Sequence, residues 1–516
     1  MGSSEWQFKS RFEPELPVPD VAPRKVATGF LPVIALDRKS STPLHRQIYD
    51  IYRAAIVNGN LAPLQKIPSS RALAAELRIS RIPVLSAYAQ LLGEGYLESV
   101  GGGGTFVSKS LPDRFPSSQH RREETPKVHS GPRPISSRSA TLPSFIGAPW
   151  LVGRGAFTVG QVAVEHFPFH VWLRLVSRYY KSVRAAPLYF SDPMGSKDFR
   201  SSIAKYLRTV RSVKCDADQI MVVSGSQQAL DVAARVLLDP GDSVWLEEPG
   251  YSLSRRLFML AGCRLIPVPV DQEGLNVAAG IRLCKNARAA YVTPSHQFPL
   301  GATMNSSRRH QLLEWAQQVG AWIIEDDYDS EYRYESSPIA SLQGLDRNSR
   351  VIYVGTFSKT LYPSLRVGYV VIPTDLVDRF AATRLAMDVY PSDLFQAVLS
   401  DFINEGHYSR HLRRTSLLYR ERREALVNAI AEQFGSAVQV QGEQSGLHLV
   451  ATLPEGLDDQ QVAKRAAAKN VWAWPLSTCY LGRPVLQGLV LGFGSTPLAE
   501  VGPAIRRLNK AIDELR

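Results

Sequence analysis

Between residues 219 and 360, five short apolar runs each lead into side chains that can do chemistry. QIMVV ends in Ser224-Gly225-Ser226-Gln227-Gln228 ahead of a helical stretch, and such a turn offers unpaired N–H groups to a phosphate. SVWL leads into Glu247-Glu248-Pro249-Gly250-Tyr251, which leaves an aromatic ring at a strand end. AAYV is followed by Thr293-Pro294-Ser295-His296-Gln297, and AWII by Glu325-Asp326-Asp327-Tyr328, three acids and a phenol after a buried strand. VIYVGTF ends in Ser358-Lys359-Thr360, a lysine emerging from an apolar strand. Singly, each has a plain structural reading: Lys359 a solvated loop lysine, Asp326 a helix cap, Tyr251 a core ring, His296 a satisfied buried histidine. Together they supply an amine, a carboxylate, a phenol, a stacking ring and a phosphate cup, the parts that hold pyridoxal 5'-phosphate. A lysine able to lose its proton can condense with the aldehyde. A carboxylate beside the ring nitrogen keeps that nitrogen protonated, because an adjacent opposite charge favours the charged form.

For these groups to meet, the runs must lie in one sheet. From residue 190 onward helical stretches alternate with short apolar runs, the pattern of a parallel sheet covered by helices. In such sheets functional groups gather at the carboxyl ends of the strands.

The N-terminal region follows a different plan. PLHRQIYDIYRAAIVN (43–58) places Leu44, Ile48, Ile51, Tyr52, Ala55 and Ile56 on one helical face, with Pro43 in the first turn. Ser69-Ser70 cap a second helix that runs to Leu77, Arg78-Ile79 form a tight turn, and Ser80 caps a third. The third keeps Val84, Ala87, Tyr88, Leu91 and Leu92 on its buried side. This is helix-turn-helix spacing, in which the start of the last helix meets base edges in the major groove. Arg81 is placed to reach them, and Arg71 to hold phosphate. After Gly95, YLESVGGGGTFVSK reads as a strand, a glycine turn and a returning strand. Such a wing would use Gly101 to Gly104, Gly103 among them, to bring its backbone close to phosphates. A plain three-helix bundle with a flexible glycine loop fits the same periodicity.

At 516 residues the chain suits a small module joined to a large one, and 44% apolar with 21% charged residues is ordinary for a globular protein. No uninterrupted apolar run is long enough to span a bilayer, and no basic amphipathic helix directs the charge to a membrane surface. Residues 1–23 lack the apolar core of a signal peptide, so a cytoplasmic location is expected. Cys215, Cys263, Cys284 and Cys479 are far apart and match no metal-ligand spacing, which predicts reduced thiols and no metal site. The formal charge of +12 favours an anionic partner. From Ser108 to about Ser144 the composition turns to Ser, Pro, Arg and Lys, a flexible basic linker.

PLHRQIYDIYRAAI, IPSSRALAAELRISR, and AYAQLLGEGYLES followed by GTFV closely resemble the DNA-binding domain of the GntR family of bacterial transcription regulators. After Ser80-Arg81, however, this chain has Ile82-Pro83 where the family often has polar residues. Pro83 falls within the first helical turn and is tolerated there, and Ile82 can touch a thymine methyl. SGSQQALD, DPGDSVWLEEPGY, YVTPSHQFPLG, WIIEDDYDSEYRYE and VIYVGTFSKTLYPSLRVGY resemble the fold-type I aminotransferase domain of MocR-type regulators, a GntR subfamily. The resemblance implies an α/β organisation in four parts. An extension (1–37) precedes a winged helix-turn-helix (38–107), and a linker (108–147) leads to a pyridoxal-phosphate-dependent aminotransferase-like domain (148–516) with a mixed, mostly parallel sheet and a smaller C-terminal lobe.

By the same resemblance Lys359 carries the cofactor, Asp326 pairs with the pyridine nitrogen, Tyr328 hydrogen-bonds the ring hydroxyl and Tyr251 stacks on the ring. Ser226, Gln227, Thr356, Ser358 and Arg366 cluster at the phosphate. Working aminotransferases commonly have Asn-Pro-x-Gly where this chain has Phe298-Pro299-Leu300-Gly301, which removes one amide partner of the ring hydroxyl. Arg483 is the candidate to clamp an effector carboxylate, with a plain surface arginine the equal alternative. The implied function is that of a homodimeric transcription regulator bound to a double-stranded operator. An amino compound, or pyridoxal phosphate itself, would act at Lys359 and alter operator binding, in a sensor rather than a turnover enzyme. The rival readings are an active aminotransferase carrying a DNA-binding head, and a DNA-binding protein whose large domain is only a dimerisation scaffold.

Overall fold

The computed structural model describes residues 34–111, 133–143, 153–182, 191–334 and 340–515, which fall into two compact units divided after Arg133. The extension over residues 1–33 and the greater part of the linker lie outside the described residues.

In the first unit, α1 (Leu44–Val57), α2 (Ser70–Glu76) and α3 (Arg81–Gly93) precede a hairpin of β1 (Leu97–Val100) and β2 (Gly104–Val107). Pro43 sits one residue before α1 rather than inside it, and Tyr49 is buried where Leu44 and Ile51 are only partly covered. Ser69 caps α2 as expected from its type, its hydroxyl accepting from Ala72 N at 3.2 Å. Ser80 occupies the cap position of α3 but makes no side-chain cap bond. Arg78 turns the chain between the helices at a positive φ of 51°. Ile48, Tyr52, Val84 and Leu91, from the faces read as apolar, form the core with Ile67, Leu97 and Val107.

The second unit contains an eight-stranded sheet in the order β3-β10-β9-β8-β7-β4-β5-β6. Its strands are β3 (Ile220–Val223), β4 (Ser243–Glu248), β5 (Arg264–Asp271), β6 (Gly274–Leu275), β7 (Ala289–Val292), β8 (Trp322–Asp327), β9 (Val351–Thr356) and β10 (Gly368–Val371). The five strands from β9 to β5 are mutually parallel, while β10 and β6 run against their neighbours. Val244, Ile324, Ile352 and Val370 pack under one layer of helices, Trp245, Ile323 and Val351 under another. A smaller antiparallel sheet, ordered β11-β12-β14-β13, comprises β11 (Val440–Gln441), β12 (His448–Thr452), β13 (Trp474–Pro475) and β14 (Gly488–Gly492). This is the expected mostly parallel sheet with a smaller C-terminal lobe.

Two local expectations are corrected. The acids read as following a strand are its last three residues: Glu325, Asp326 and Asp327 lie within β8 and are buried. Within the stretch read as a linker, Ser137–Ala140 form one helical turn, with Arg138 Nη1 donating to the Leu260 carbonyl at 3.5 Å. Four residues are too few to show a period. Among the described residues, no helix is long and apolar enough to cross a membrane.

Candidate functional site

Because β4, β7, β8 and β9 are parallel, their carboxyl ends open on one side of the sheet, where a cavity of about 490 Å³ lies. Lys359 follows β9 by three residues, and its Nζ donates to the Gly160 carbonyl at 3.1 Å. Gly160 has φ +79°, which favours glycine, and a Cβ there would stand 2.6 Å from that nitrogen, so the amine would have to shift. Removal from water draws the pKa of Lys359 below the ordinary lysine value; Asp329 and Asp326 pull it up, and Arg366 adds to the lowering.

Asp326 Oδ2 accepts from the Tyr291 hydroxyl at 2.8 Å, while Oδ1 is buried with no hydrogen-bond partner. Burial pushes this carboxyl up to about 7, against the Tyr291 bond and Lys359, which lower it. An acid so placed ionises fully only beside a cation. Tyr328 donates to the His296 carbonyl at 2.9 Å, and Tyr251 meets Phe298 edge to face with centroids 5.5 Å apart.

Ser226 and Gln227 are the first residues of the helix Ser226–Leu237, behind Gly225 at φ +104°. A Cβ on Gly225 would lie 3.0 Å from the Arg366 guanidinium, so the arginine rests against the helix start. Thr356 ends β9 and accepts from Ser358 N at 3.1 Å. Gln227 Nε2 and Ser358 Oγ are buried without partners. Buried polar groups are nearly always paired, so three such atoms facing one cavity, with a guanidinium and free helix-start N–H groups, fit a phosphate and a protonated ring nitrogen.

All nine residues anticipated for the cofactor, Lys359, Asp326, Tyr328, Tyr251, Ser226, Gln227, Thr356, Ser358 and Arg366, line this cavity. Arg483 does not; it is exposed, and the lining excludes it. Sequence reasoning missed Gly160, which lies 199 residues from Lys359, and the walls that the small sheet provides, His448 and Trp474. Tyr291 lies within the strand itself, one residue before its end, where the apolar run gives no sign of a site residue. His296 is buried and bonded to Asp329 at 3.0 Å. His296, Asp329 and His448 bring ligand-type atoms within 4.8 Å of one another, but protein partners already occupy His448 Nε2 and both Asp329 oxygens.

In the first unit Arg71, Ser80 and Arg81 are exposed. Arg81 Nε donates to Ser70 Oγ at 3.0 Å, which ties the start of α3 to the start of α2. Ile82 stands out at 72% exposure. In the hairpin only Gly102 and Gly104 have positive φ, 73° and 113°; Gly103 closes the turn through its N–H to the Val100 carbonyl at 2.9 Å.

The family model for aminotransferase class I and II matches residues 162–487, and that for bacterial regulatory proteins of the gntR family matches residues 44–107. A probable rhizopine catabolism regulatory protein, MocR of Rhizobium meliloti, is 37% identical over 479 residues, 93% of this chain and 96% of its own. The chain is a MocR-type regulator of the GntR superfamily. The pyridoxine biosynthesis transcriptional regulator PdxR of Corynebacterium glutamicum is 30% identical over 92% of this chain and 98% of its own. An aromatic-amino-acid aminotransferase of Thermococcus litoralis is 30% identical over 69% of this chain and 87% of its own. Among solved structures, the kynurenine aminotransferase of Pyrococcus horikoshii in complex with PMP superposes with a TM-score of 0.69 at 28% identity, covering 74% of this chain and 97% of its own. As a MocR-type regulator the chain joins a gntR-type DNA-binding head to a body of the aminotransferase fold, and its cofactor is pyridoxal 5'-phosphate.

Proposed function

We propose that this MocR-type regulator holds pyridoxal phosphate at the strand ends of its body and senses a small amine there, with occupancy altering how its head engages operator DNA. One observation carries the reading. Nine residues picked out at separate strand ends and turns line a single cavity in which Asp326 Oδ1, Gln227 Nε2 and Ser358 Oγ lack partners.

When bound, the cofactor supplies an aldehyde for amine capture and an electron-withdrawing ring. The residues supply the rest. Ser226, Gln227, Thr356, Ser358 and Arg366 bind the phosphate, with the guanidinium acting as a fork. Asp326 holds the ring nitrogen protonated, and burial makes that partnership strong. Burial makes the Lys359 amine easier to deprotonate, which nucleophilic chemistry needs. Tyr251 covers one ring face, and Tyr328 orients the ring from the strand end. His448 and Trp474 belong to the small sheet, and Asp326 and Thr356 to the large one, so an effector in the cavity touches both sheets. It can shift their arrangement only by binding two arrangements unequally. Two bodies would pair in a homodimer, so that two heads read two half-sites, with Arg81 and Ile82 at bases and Arg71 and the Gly103 backbone at phosphates. The work is done on DNA, in the cytoplasm.

The test is an absorption spectrum of the full-length protein beside Lys359→Ala, with and without borohydride. A visible band that reduction fixes in the wild type and that the variant lacks is expected. No band after addition of pyridoxal phosphate would leave a DNA-binding dimer on a retired enzyme scaffold. A second reading, an aminotransferase with a DNA-binding head, draws on the complete set of Lys359, Asp326 and Arg366 in the cavity. Sustained turnover with an amino donor and a keto acceptor would select it.

A further inference from the structure

We infer that the effector of this cavity is a primary amine whose body carries no carboxylate, an inference that rests on the cofactor reading above. Among the described residues of the lining, the only full cations by type are Lys359 and Arg366. Neither is available to an effector's acid. Arg366 lies against Gly225 at the helix start that seats the phosphate, and Lys359 is the reactive amine.

The rest of the cavity is made for an uncharged body. Beside Lys359 it is walled by Val159, Phe298, Leu447 and Trp474. Phe298 and Trp474 pack edge to face, centroids 5.9 Å apart, with the Phe298 ring also meeting Tyr251. Neither titratable group at this end, Asp329 or His448, supplies a positive charge. Asp329 is itself an acid, its oxygens held by His296 and the Leu447 N–H. His448 donates from Nε2 to the Pro299 carbonyl at 3.1 Å, which leaves Nδ1 as an acceptor. Burial, with His296 alongside, draws the His448 pKa well below the ordinary histidine value and keeps the ring neutral. The buried arginines Arg211 and Arg255 are outside the lining: Arg211 pairs with Asp327 at 2.7 Å, and Arg255 donates from Nη2 to the Gly250 carbonyl at 3.0 Å. Arg483, the candidate carboxylate clamp, is exposed and outside the lining. A carboxylate carried into this end would therefore be desolvated without a counter-charge, the costliest form of burial. An aromatic or aliphatic body meets rings instead.

Matched pairs that differ only by the carboxylate decide the matter: 2-phenylethylamine against phenylalanine, and tyramine against tyrosine. Each is titrated into the full-length, cofactor-loaded protein, reading the visible band and the thermal midpoint. The amine of each pair should reach half-saturation at a concentration at least tenfold below that of its amino acid. A loaded protein that responds to the amino acids at equal or lower concentration, or to no member of any pair, overturns the inference and leaves the cofactor reading standing. A protein with no visible band overturns both. Gln161→Arg provides the converse. Gln161 is exposed, lines the cavity and adjoins the carbonyl that Lys359 meets, so a guanidinium there disturbs no core. It should move the preference at least tenfold toward the amino acid, and an unchanged ratio would show that charge at this end does not decide.

Discussion

The head and the body present their chemistry in opposite ways. In the head, Arg71, Ser80, Arg81 and Ile82 are exposed, close in sequence, and borne on helices whose other faces make the core. In the body, the site draws on residues from Val159 to Trp474 at the ends of buried strands, and several of its side chains are themselves structural. An exposed reader can be changed without touching its scaffold. A buried site shares its parts with the fold, so its substitutions act on neighbours first.

The sharpest way to break that contrast is at Gly160, where positive φ and the contact with Lys359 coincide. Gly160→Ala adds left-handed backbone strain, about 1–2 kcal/mol of stability, and a methyl that shifts the free end of the Lys359 side chain away from the Gly160 carbonyl. Displacing the amine should lower cofactor affinity by roughly ten- to a hundredfold, read by titrating pyridoxal phosphate against the visible band, and the strain should lower the melting temperature. Operator affinity of the unliganded protein should be unchanged; a matching loss would mean that the two units are not separable in this sense.

Arg81→Ala tests the other side. Loss of a base contact costs about 1–3 kcal/mol, or roughly ten- to a hundredfold in operator affinity, with relaxed preference at one position. Arg71→Ala should weaken binding across all sequences and lower the salt slope by about one. Both variants should keep the wild-type band and melting temperature. A lower melting temperature for Arg81→Ala would show that its bond to Ser70 Oγ is structural and not merely a resting contact.

How far the sequence could be read follows the same division. Helix faces in the head and apolar runs in the body are local patterns, so the elements, the sheet and the residues just past its strands were legible. What depends on distant partners was not. The three acids of β8 look like residues that follow the strand until their partners appear. Glu325 accepts from the Leu342 and Gln343 N–H groups at 2.8 and 2.9 Å, and Asp327 from Arg211 and Tyr353 at 2.9 and 2.6 Å. Those partners lie as far as 116 residues away. Gly160, His448 and Trp474 come to the cavity by the same long closures, and no spacing marks them. Arg483 was readable only as an arginine in a plausible region, and position alone does not bring a side chain into a cavity.

The buried acids also give the units opposite pH responses. Burial pushes Glu247, Glu325 and Asp326 each up to about 7. The native body therefore keeps protons that the unfolded chain releases above about pH 4, so its stability falls as pH rises through that range toward 7 and is level below it. In the head, hydrogen bonds from Tyr49 and Gln90 hold Glu94 below its usual value. That contribution is present above the unfolded pKa and is lost as pH falls. Calorimetry of the cofactor-free protein should show the body transition dropping by about a few degrees between pH 5 and 8. Asp326→Asn should remove part of that slope, and a slope unaltered by it would place the response in other groups.

The smallest effects are expected within the wing, where the glycine run can be resolved residue by residue. Gly102 and Gly104 have φ of 73° and 113°, whereas Gly101 and Gly103 do not have positive φ. At Gly104 an added Cβ would also lie 2.8 Å from Lys66 Cε, the end of a flexible side chain that can move. Gly102→Ala and Gly104→Ala should thus each cost about 1 kcal/mol of hairpin stability through backbone conformation. Gly101→Ala has open space and ordinary φ, and should be neutral for the fold. If the wing backbone approaches phosphate, Gly101→Ala and Gly103→Ala should nevertheless weaken operator binding several-fold while melting stays put. Equal affinity in those two variants would assign the run to the turn alone and leave phosphate contact to the arginines.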